Sequence, residues 1–480
     1  MVFNSIAFVV FFVIVSFLLA LTNLRRIKET LGSKIPLLRH TILFVASYIF
    51  YGWWDWRFAV LMLLLTTIAH FCSLKYTQTK HRFYAYISFV VPLIVLGFFK
   101  YFNFFVNTFT GMFGLSTPST LNIILPVGIS FYTFQSLSYS IDVYRGKLTA
   151  ERSFLKTALY ISFFPQLVAG PIVKANDFLP QLYEDRNISF KNCEKGLWYF
   201  AFGLFKKIVI ADNLSVCVDA VFQAPSQYHG LSLLLAAIAY SLQIYCDFSG
   251  YSDMAIGCAK CLGYDLNRNF NIPYIAKNIS VFWKRWHISL STWLMEYLYI
   301  PLGGNRKGTL RTYVNLLITM LLGGLWHGAN WTFVVWGGMH GIALCIHKLF
   351  MKLLKHDKNH KGTLVGNLLS AIVTYAFVTF CFIFFRAETF TTASIIIRGI
   401  VCWQDGIIYI STWVLLAIAI IGIATLIPVL RSLRTGNDPE GFYPFLSLKT
   451  IPGLTLLFIL FGFCLILAYT GNNPFIYFQF

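Results

Sequence analysis

The sequence predicts an all-α protein that crosses a membrane several times. Hydrophobic residues make up 57% of its 480 residues and charged residues only 12%, which is about half the charged share of a soluble globular chain. The mean hydropathy is +0.67, and long stretches contain no Asp, Glu, Lys or Arg. Since backbone polar groups must be paired inside a bilayer, such stretches are expected to be helical. Together these observations exclude a soluble domain, a disordered or collagen-like chain and a disulfide-rich fold.

A spanning helix needs about 20 mostly apolar residues, and the chain offers many candidates. The uncharged ones are residues 1–24, 58–74, 83–99, 101–141, 220–246, 312–346, 362–385, 406–430 and 450–480. Shorter candidates are 41–54, 157–173 and 197–210, the last interrupted by Lys206 and Lys207. We therefore predict roughly ten to twelve membrane elements, some of them re-entrant, in a single integral membrane domain over 1–480. Residues 387–480 form additional C-terminal membrane helices in this interpretation.

The basic residues predict the topology. Arg25, Arg26 and Lys28 follow the first apolar stretch, and a second basic loop covers 348–361. By the positive-inside rule both loops are cytoplasmic and the N-terminus is extracytoplasmic. The first stretch has no basic residue before it, unlike a signal peptide, so we expect it to remain attached. We attribute the net charge of +19 to topology and to attraction of anionic membrane lipids, not to nucleic-acid binding.

Residues 312–346 carry the most informative polar side chains. This uncharged stretch includes Trp326, His327, Asn330 and His340. Polar groups at membrane depth usually pair with each other or line a substrate path, and a neutral His is a suitable general base for a hydroxyl. In one continuous helix the two imidazoles would lie about 20 Å apart, unless the glycines between 323 and 328 break it. The alternative role for either His is an interhelical hydrogen bond.

A second polar group lies at 282–293, where aromatic and cationic residues alternate. If this stretch is one helix, His287 shares a face with Trp283, and Ser291 lies adjacent to that face. Its cations and those of the following loop offer positive charge to an anionic cofactor such as coenzyme A, the alternative being an anchor for lipid headgroups. The candidate cofactor-binding residues are Lys284, Arg285, Arg306 and Lys307.

Two further features predict structure more than chemistry. Asp247 and Asp253 are six positions apart, which is off the helical spacing for an acid/base pair. We expect them to act as helix caps or as interhelical partners of cations, either those of the second polar group or Lys206 and Lys207. Cys258 and Cys261 form one close pair, which is insufficient for a tetrahedral zinc site, so we predict buried thiols and no metal.

The motifs together resemble the membrane-bound O-acyltransferase family. They are FWKRWHISLSTW at 282–293, YIPLGGNRKG at 299–308, MLLGGLWHGAN at 320–330, WGGMHG at 336–341, FFPQLVAGP at 163–171, CDFSGYSDMAIG at 246–257 and LPVGISFYTFQ at 125–135. They define a motif core over 125–341. The likeness is strongest to the bacterial branch, which modifies alginate, peptidoglycan and teichoic acids.

The resemblance implies a fold, a site and a donor. The fold is a ring of tilted transmembrane helices with re-entrant elements around a central tunnel. His327 falls on the family's characteristic histidine and His287 on its second polar residue, so both are predicted to be catalytic. His340, Trp326, Asn330 and Ser291 are candidates for the tunnel or the site. The donor implied is cytoplasmic acetyl-CoA.

The resemblance also implies partners and a location. In this branch the acyl group passes to a separate extracytoplasmic SGNH-type acetyltransferase or a membrane-anchored acceptor protein, which acylates the polysaccharide. The expected location is the bacterial inner membrane. The alternatives are a transporter or channel, in which the histidines form a proton path, and a scaffold of a polysaccharide export complex.

Overall fold

The fold is known from a computed structural model, which describes residues 1–115, 121–186, 188–353, 363–435, 439, 445–469, 471 and 475–476. Within these ranges the chain is helical, without a β-strand; an isolated bridge joins Tyr228 and Ile407. Contacts divide the chain into two compact units. The first comprises 1–202, 251–267 and 447–450, and the second 203–250, 268–446 and 451–480. The prediction of a single domain stays a prediction.

The first unit contains the helices of the N-terminal part of the chain. They are α1 (Ile6–Leu21), α2 (Arg25–Leu31), α3 (Ile35–Gly52), α4 (Trp56–Thr79), α5 (Arg82–Leu96), α6 (Phe102–Phe113), α7 (Ile129–Tyr144), α8 (Phe154–Ser162), α9 (Phe164–Leu167), α10 (Ala175–Phe178) and most of α11 (Phe190–Leu204). Its core includes aromatic rings from distant segments. Phe8, Phe11, Phe50 and Phe164 contact one another with ring centroids 5.2 to 6.4 Å apart.

The second unit contains the remaining helices. They are α12 (Asp212–Gln223), most of α13 (Gly230–Cys261), α14 (Ile279–Arg285), α15 (Ile288–Leu294), α16 (Gly308–His327), α17 (Trp331–Leu353), α18 (Leu364–Arg386), α19 (Phe390–Val401), α20 (Thr412–Thr435) and α21 (Ile451–Leu467). Both histidines predicted to be catalytic belong to this unit.

The lengths and composition of the helices agree with a multi-pass membrane protein. Among the described residues, seven helical segments are long and apolar enough to cross a membrane, and three shorter apolar helices accompany them. The seven are Arg25–Gly52, Trp56–Thr79, Arg82–Phe113, Gly230–Cys261, Trp331–Leu353, Val365–Arg386 and Thr412–Ser432. The predicted all-α class is confirmed, whereas the ring of helices around a tunnel stays a prediction.

Several stretches predicted from the absence of charge are not single helices, as two examples show. Residues 101–141 contribute to α6 and α7, and residues 121–128, just before α7, are not helical. Residues 312–346 form α16 and α17, which are separated by residues 328–330. Absence of charge shows where a chain can enter a bilayer, but it does not show where the chain turns.

Helices α16 and α17 approach each other closely at a pair of glycines. A Cβ atom on Gly324 would lie 2.2 Å from the carbonyl oxygen of Phe333, and one on Gly337 would lie 2.2 Å from that of Met320. No side chain larger than hydrogen fits at either position without moving the backbone. The two glycines therefore allow the helices to pack in a tight hairpin, and His327 lies at its turn.

A buried ion cluster joins three segments of the second unit. Nζ of Lys207 lies 2.7 Å from Oδ1 of Asp212 and 2.6 Å from Oδ1 of Asp247. The other carboxylate oxygen of Asp247 accepts the backbone N–H of Ile476 at 2.8 Å. All three charged side chains are buried. The prediction that Asp247 pairs with a nearby cation is confirmed.

Candidate active site

His327 lies in an aromatic enclosure. It is the last residue of α16 and is 3% exposed. Its ring centroid lies 5.0 Å from Trp326, 5.1 Å from Trp336 and 5.2 Å from Phe385. Substrates therefore have to reach this imidazole through the protein interior.

The turn after His327 has clear local causes. A Cβ atom on Gly328 would lie 2.2 Å from the ring of Phe333, so a larger residue there would clash with the next helix. Asn330 caps α17, because its Oδ1 accepts the backbone N–H of Thr332 at 3.0 Å. Its Nδ2 donates to the carbonyl oxygen of Glu388 at 2.9 Å. The structure thus gives Asn330, a predicted site residue, a structural role at the turn.

His287 has an unusual backbone conformation. It lies between α14 and α15, with φ 43° and ψ 55°, in the left-handed region. Stretch 282–293 is therefore not one helix, and the shared face expected for Trp283 and His287 does not form. The left-handed conformation costs about 1–2 kcal/mol for a residue other than glycine, and such strain is concentrated at functional sites. The side chain is fully buried.

Asn269 sets the tautomer of His287. Oδ1 of Asn269 accepts the backbone N–H of Ser289 at 3.2 Å and the hydroxyl of Ser289 at 2.9 Å. Since a backbone N–H can only donate, this amide atom is an acceptor. Nδ1 of His287 lies 3.2 Å from the same oxygen and must therefore carry the proton. The lone pair of the neutral ring is then on Nε2, which can accept a proton.

The structure brings the two predicted catalytic histidines together. The ring centroids of His287 and His327 lie 6.3 Å apart, and Trp326 contacts both rings, at 5.9 and 5.0 Å. Phe248 packs against His287 at 4.6 Å. Because a hydrogen bond to oxygen is about 2.8 Å long, one hydroxyl group between the rings could contact both.

The other predicted site residues differ in their distance from this pair. The ring of His340 lies 4.8 Å from Trp336 and is fully buried. Ser291 donates its hydroxyl to the carbonyl oxygen of Trp286 at 3.2 Å, within its own segment. Trp326 is an immediate neighbour of His287 and His327.

The four cations predicted to bind the cofactor do not form one group. Lys284 is exposed, three positions before His287. Nη1 of Arg285 donates to the carbonyl oxygens of Asn271 and Pro439 at 3.0 and 2.9 Å. Arg306 and Lys307 are exposed just before α16, which is about 30 Å long at 1.5 Å per residue, so they lie at the opposite end of that helix from His327.

Comparison with known proteins shows which family the chain belongs to. The family model of the membrane-bound O-acyltransferases matches residues 148–364. The probable alginate O-acetylase AlgI of Pseudomonas putida is 42% identical over 365 residues, 74% of this chain and 73% of the relative. The peptidoglycan O-acetyltransferase of Helicobacter pylori is 38% identical over 399 residues, 77% of this chain and 75% of the relative.

The chain belongs to the membrane-bound O-acyltransferase family. A more distant relative is the teichoic acid D-alanyltransferase of Bacillus subtilis, 27% identical over 286 residues, 56% of this chain and 70% of the relative. The predicted family and enzyme class are confirmed, and acyl transfer is favoured over a transporter or a scaffold. Both His287 and His327 lie within the range matched by the family.

The sequence did not reveal several neighbours of these histidines in the acyltransferase. Asn269 is 18 positions before His287 and outside the quoted motifs, and no spacing rule connects the two. Phe385 belongs to an ordinary apolar stretch, yet it packs on His327. Phe248 was quoted in a motif, but only the structure places it against His287. Such contacts depend on tertiary packing between separate helices.

Proposed function

We propose that this acyltransferase moves an acetyl group from cytoplasmic acetyl-CoA across the bacterial inner membrane for O-acetylation of an extracytoplasmic polysaccharide. The observation that carries the proposal is the buried pair His287 and His327, with ring centroids 6.3 Å apart. The names of two relatives, an alginate O-acetylase and a peptidoglycan O-acetyltransferase, support acetyl as the group and a polysaccharide as the final acceptor.

The chemistry requires one base. The oxygen of an acceptor hydroxyl attacks the thioester carbonyl carbon while His327 takes the hydroxyl proton. The carbon–sulfur bond then breaks, and the proton passes to the departing thiolate, which leaves as the free thiol of coenzyme A. A thioester is already activated, so positioning and general-base catalysis can supply most of the remaining acceleration.

The tautomer of His287 selects between two roles for this ring. A neutral imidazole protonated at Nδ1 has no proton on Nε2, so it cannot donate a hydrogen bond from there to a developing oxyanion. Because the attacking hydroxyl carries a single proton, Nε2 of His287 can share it with His327 only in a three-centre hydrogen bond, before His327 takes it. We therefore assign His287 the role of orienting the acceptor, with Asn269 holding the ring by the 3.2 Å contact.

The aromatic enclosure protects the acyl group from water. Trp326, Trp336 and Phe385 come from three different helices, and each contacts the ring of His327. Excluding water from a reactive thioester favours transfer over hydrolysis. It also strengthens the electrostatic interactions within the site.

The donor, the partner and the orientation belong to the same proposal. The phosphates of acetyl-CoA would bind cations on the cytoplasmic side, with the N-terminus on the opposite side. The immediate acceptor would be a hydroxyl of a separate SGNH-type or membrane-anchored partner, which then acetylates the polysaccharide.

The experiment uses the full chain in proteoliposomes with acetyl-labelled acetyl-CoA, the candidate partner and the polysaccharide. We expect release of free coenzyme A together with label on the partner or the glycan. His327→Gln should lower the rate by about 10²- to 10⁴-fold, the usual contribution of a general base. His347→Gln, on helix α17, is the matched control and should retain the rate.

Two results would refute the proposal. One is the absence of coenzyme A release when partner and glycan are both supplied. The other is a wild-type rate for a correctly inserted His327→Gln variant. Mass analysis of wall and exopolysaccharide from cells with and without the protein identifies the glycan.

A further inference from the structure

Three rings beside the histidine pair carry buried polar atoms that make no hydrogen bond within the described part of the chain. The atoms are Nε1 of Trp283, Nε1 of Trp336, and both Nδ1 and Nε2 of His340. The rings contact one another, with centroids 5.2 Å apart for Trp283 and His340, 4.8 Å for Trp336 and His340, and 5.8 Å for the two indoles. The three rings that carry these four atoms thus pack against one another.

The surroundings of this cluster are aromatic. Phe282 stacks on His340 at 6.1 Å, and Phe377 contacts it edge-on at 5.7 Å. His340 is fully buried. An unsatisfied buried donor or acceptor costs about 1–3 kcal/mol, and native proteins usually satisfy such groups with an ordered water or a ligand. A cluster that left all four atoms unsatisfied would be strongly destabilised.

The donor set defines what can bind there. Each indole N–H can only donate, and a neutral imidazole has one donor and one acceptor. The cluster therefore offers three donors and one acceptor, without a formal charge. One neutral oxygen can accept from both indoles and, as a water molecule, donate to the unprotonated nitrogen of the imidazole. The ring N–H of His340 points another way and is not satisfied by the same oxygen.

We propose that Trp283, Trp336 and His340 form a small polar site that holds one neutral oxygen, supplied either by an internal water molecule or by a carbonyl of the acyl donor. The second source rests on the proposed function, whereas the first does not. Trp336 also packs on His327 at 5.1 Å. The bound oxygen therefore fixes an indole that forms one wall of the catalytic enclosure, and His340 is a positioning residue.

The test is nitrogen NMR of the indole N–H groups in the full chain in nanodiscs. Trp283→Phe and Trp336→Phe assign the two signals, and Trp331, which is 48% exposed on helix α17, supplies a comparison signal from outside the cluster. Spectra are recorded without donor and with a thioether analogue of acetyl-CoA that cannot react. Hydrogen-bonded positions in the donor-free spectrum indicate water. A downfield shift that appears only with the analogue indicates a carbonyl.

Two variants test whether the ring nitrogens of His340 help to hold the oxygen that the indoles bind. His340→Gln keeps one donor and one acceptor, so both indole signals should stay at hydrogen-bonded positions. His340→Phe keeps the ring volume but neither polar atom, so the Trp336 signal should shift to the unbonded range. Should His340→Phe fail to fold, His340→Leu replaces it. Trp331→Phe is the control that should leave both signals unchanged.

The result that overturns the proposal is an unbonded position for both indoles in both spectra, or identical indole signals in His340→Phe and the wild type. The donor-free spectrum does not depend on acetyl transfer. A protein that shows bonded indoles but transfers no acetyl group would refute the proposed function and leave the polar site intact.

Discussion

Nδ1 of His287 lies 3.2 Å from Oδ1 of Asn269, and that oxygen also accepts two hydrogen bonds from Ser289. One amide oxygen thus holds the imidazole and the start of the following helix. The arrangement fixes which nitrogen of His287 carries the proton, and with it the part this ring can play in acyl transfer.

Replacing Asn269 tests this relationship. Asn269→Leu removes the oxygen that accepts the ring N–H of His287 and the backbone N–H of Ser289, and losing a buried hydrogen bond of this kind costs about 1–3 kcal/mol of stability. Since a misplacement of about 1 Å at a catalytic group can cost about a hundredfold in rate, we expect acetyl transfer to fall by about ten- to a hundredfold. The measurement is the initial rate in proteoliposomes, compared with Ser289→Ala, which removes only the hydroxyl. An unchanged rate in a folded Asn269→Leu protein would show that this bond does not position His287.

Asn269→Asp should change the pH profile. His287 lies outside the seven apolar spans, and burial lowers the pKa of its imidazole to about 3, so the ring is neutral at neutral pH. A carboxylate in place of the amide would raise that pKa. The variant ring would then become protonated as the pH falls, and Nε2 would no longer accept a hydrogen bond. The acidic limb of kcat/KM should appear at a higher pH than in the wild type, and identical profiles would contradict this.

Gly337→Ala should disrupt the hairpin of α16 and α17. Its Cβ atom would lie 2.2 Å from the carbonyl oxygen of Met320, so the helices must separate, and overpacking of this kind costs about 1–3 kcal/mol. Gly422→Ala in α20 is the matched control, because no atom lies within 4 Å of its added Cβ. We expect a lower midpoint of thermal unfolding and slower transfer for Gly337→Ala only. Equal midpoints for the two variants would argue against the tight packing.

Asp247→Ala should strongly destabilise the second unit. It removes one of two carboxylates from buried Lys207 and the acceptor of the Ile476 N–H, and breaking a buried ion pair costs about 3–5 kcal/mol. Asp219→Ala is the control, because Asp219 pairs with Arg386 at 2.7 Å but its side chain is 41% exposed. Such a pair contributes about 1 kcal/mol or less. The midpoint of thermal unfolding should be clearly lower for purified Asp247→Ala than for purified Asp219→Ala. The opposite order would exclude the ion cluster as a stabilising element.

The cations before α16 provide a test of donor binding. The double variant Arg306→Gln/Lys307→Gln removes two exposed charges that would face the phosphates of acetyl-CoA, each contributing about 0.2–1 kcal/mol. We expect the KM for acetyl-CoA to rise several-fold while kcat is unchanged, because the contact is the same in the ground and transition states. Lys80→Gln, at an exposed position in the other unit, should change neither. A KM equal to that of the wild type would remove this pair from the cofactor site.

The sequence predicted residue types for the candidate site but not their geometry. His327 and His287 stand in the motifs given above, and both are buried within one unit. Polar side chains at membrane depth are costly and usually face the protein interior, which is why the sequence drew attention to them. The break after His327 was foreseen only as an option allowed by the glycines. The left-handed conformation of His287 was not foreseen, since its segment has the pattern of a continuous helix. Asn269 escaped prediction because contact across 18 residues depends on how separate segments pack.

The left-handed backbone conformation at His287 is strained for every residue except glycine. Glycine would relieve the strain but would remove the imidazole, and a β-branched side chain would worsen it. A directed-evolution selection for thermostability alone should therefore favour glycine at position 287, whereas a selection for acetyl transfer should keep the histidine. The two selections, one for thermal stability and one for the rate of acetyl transfer, should therefore yield different residues at position 287.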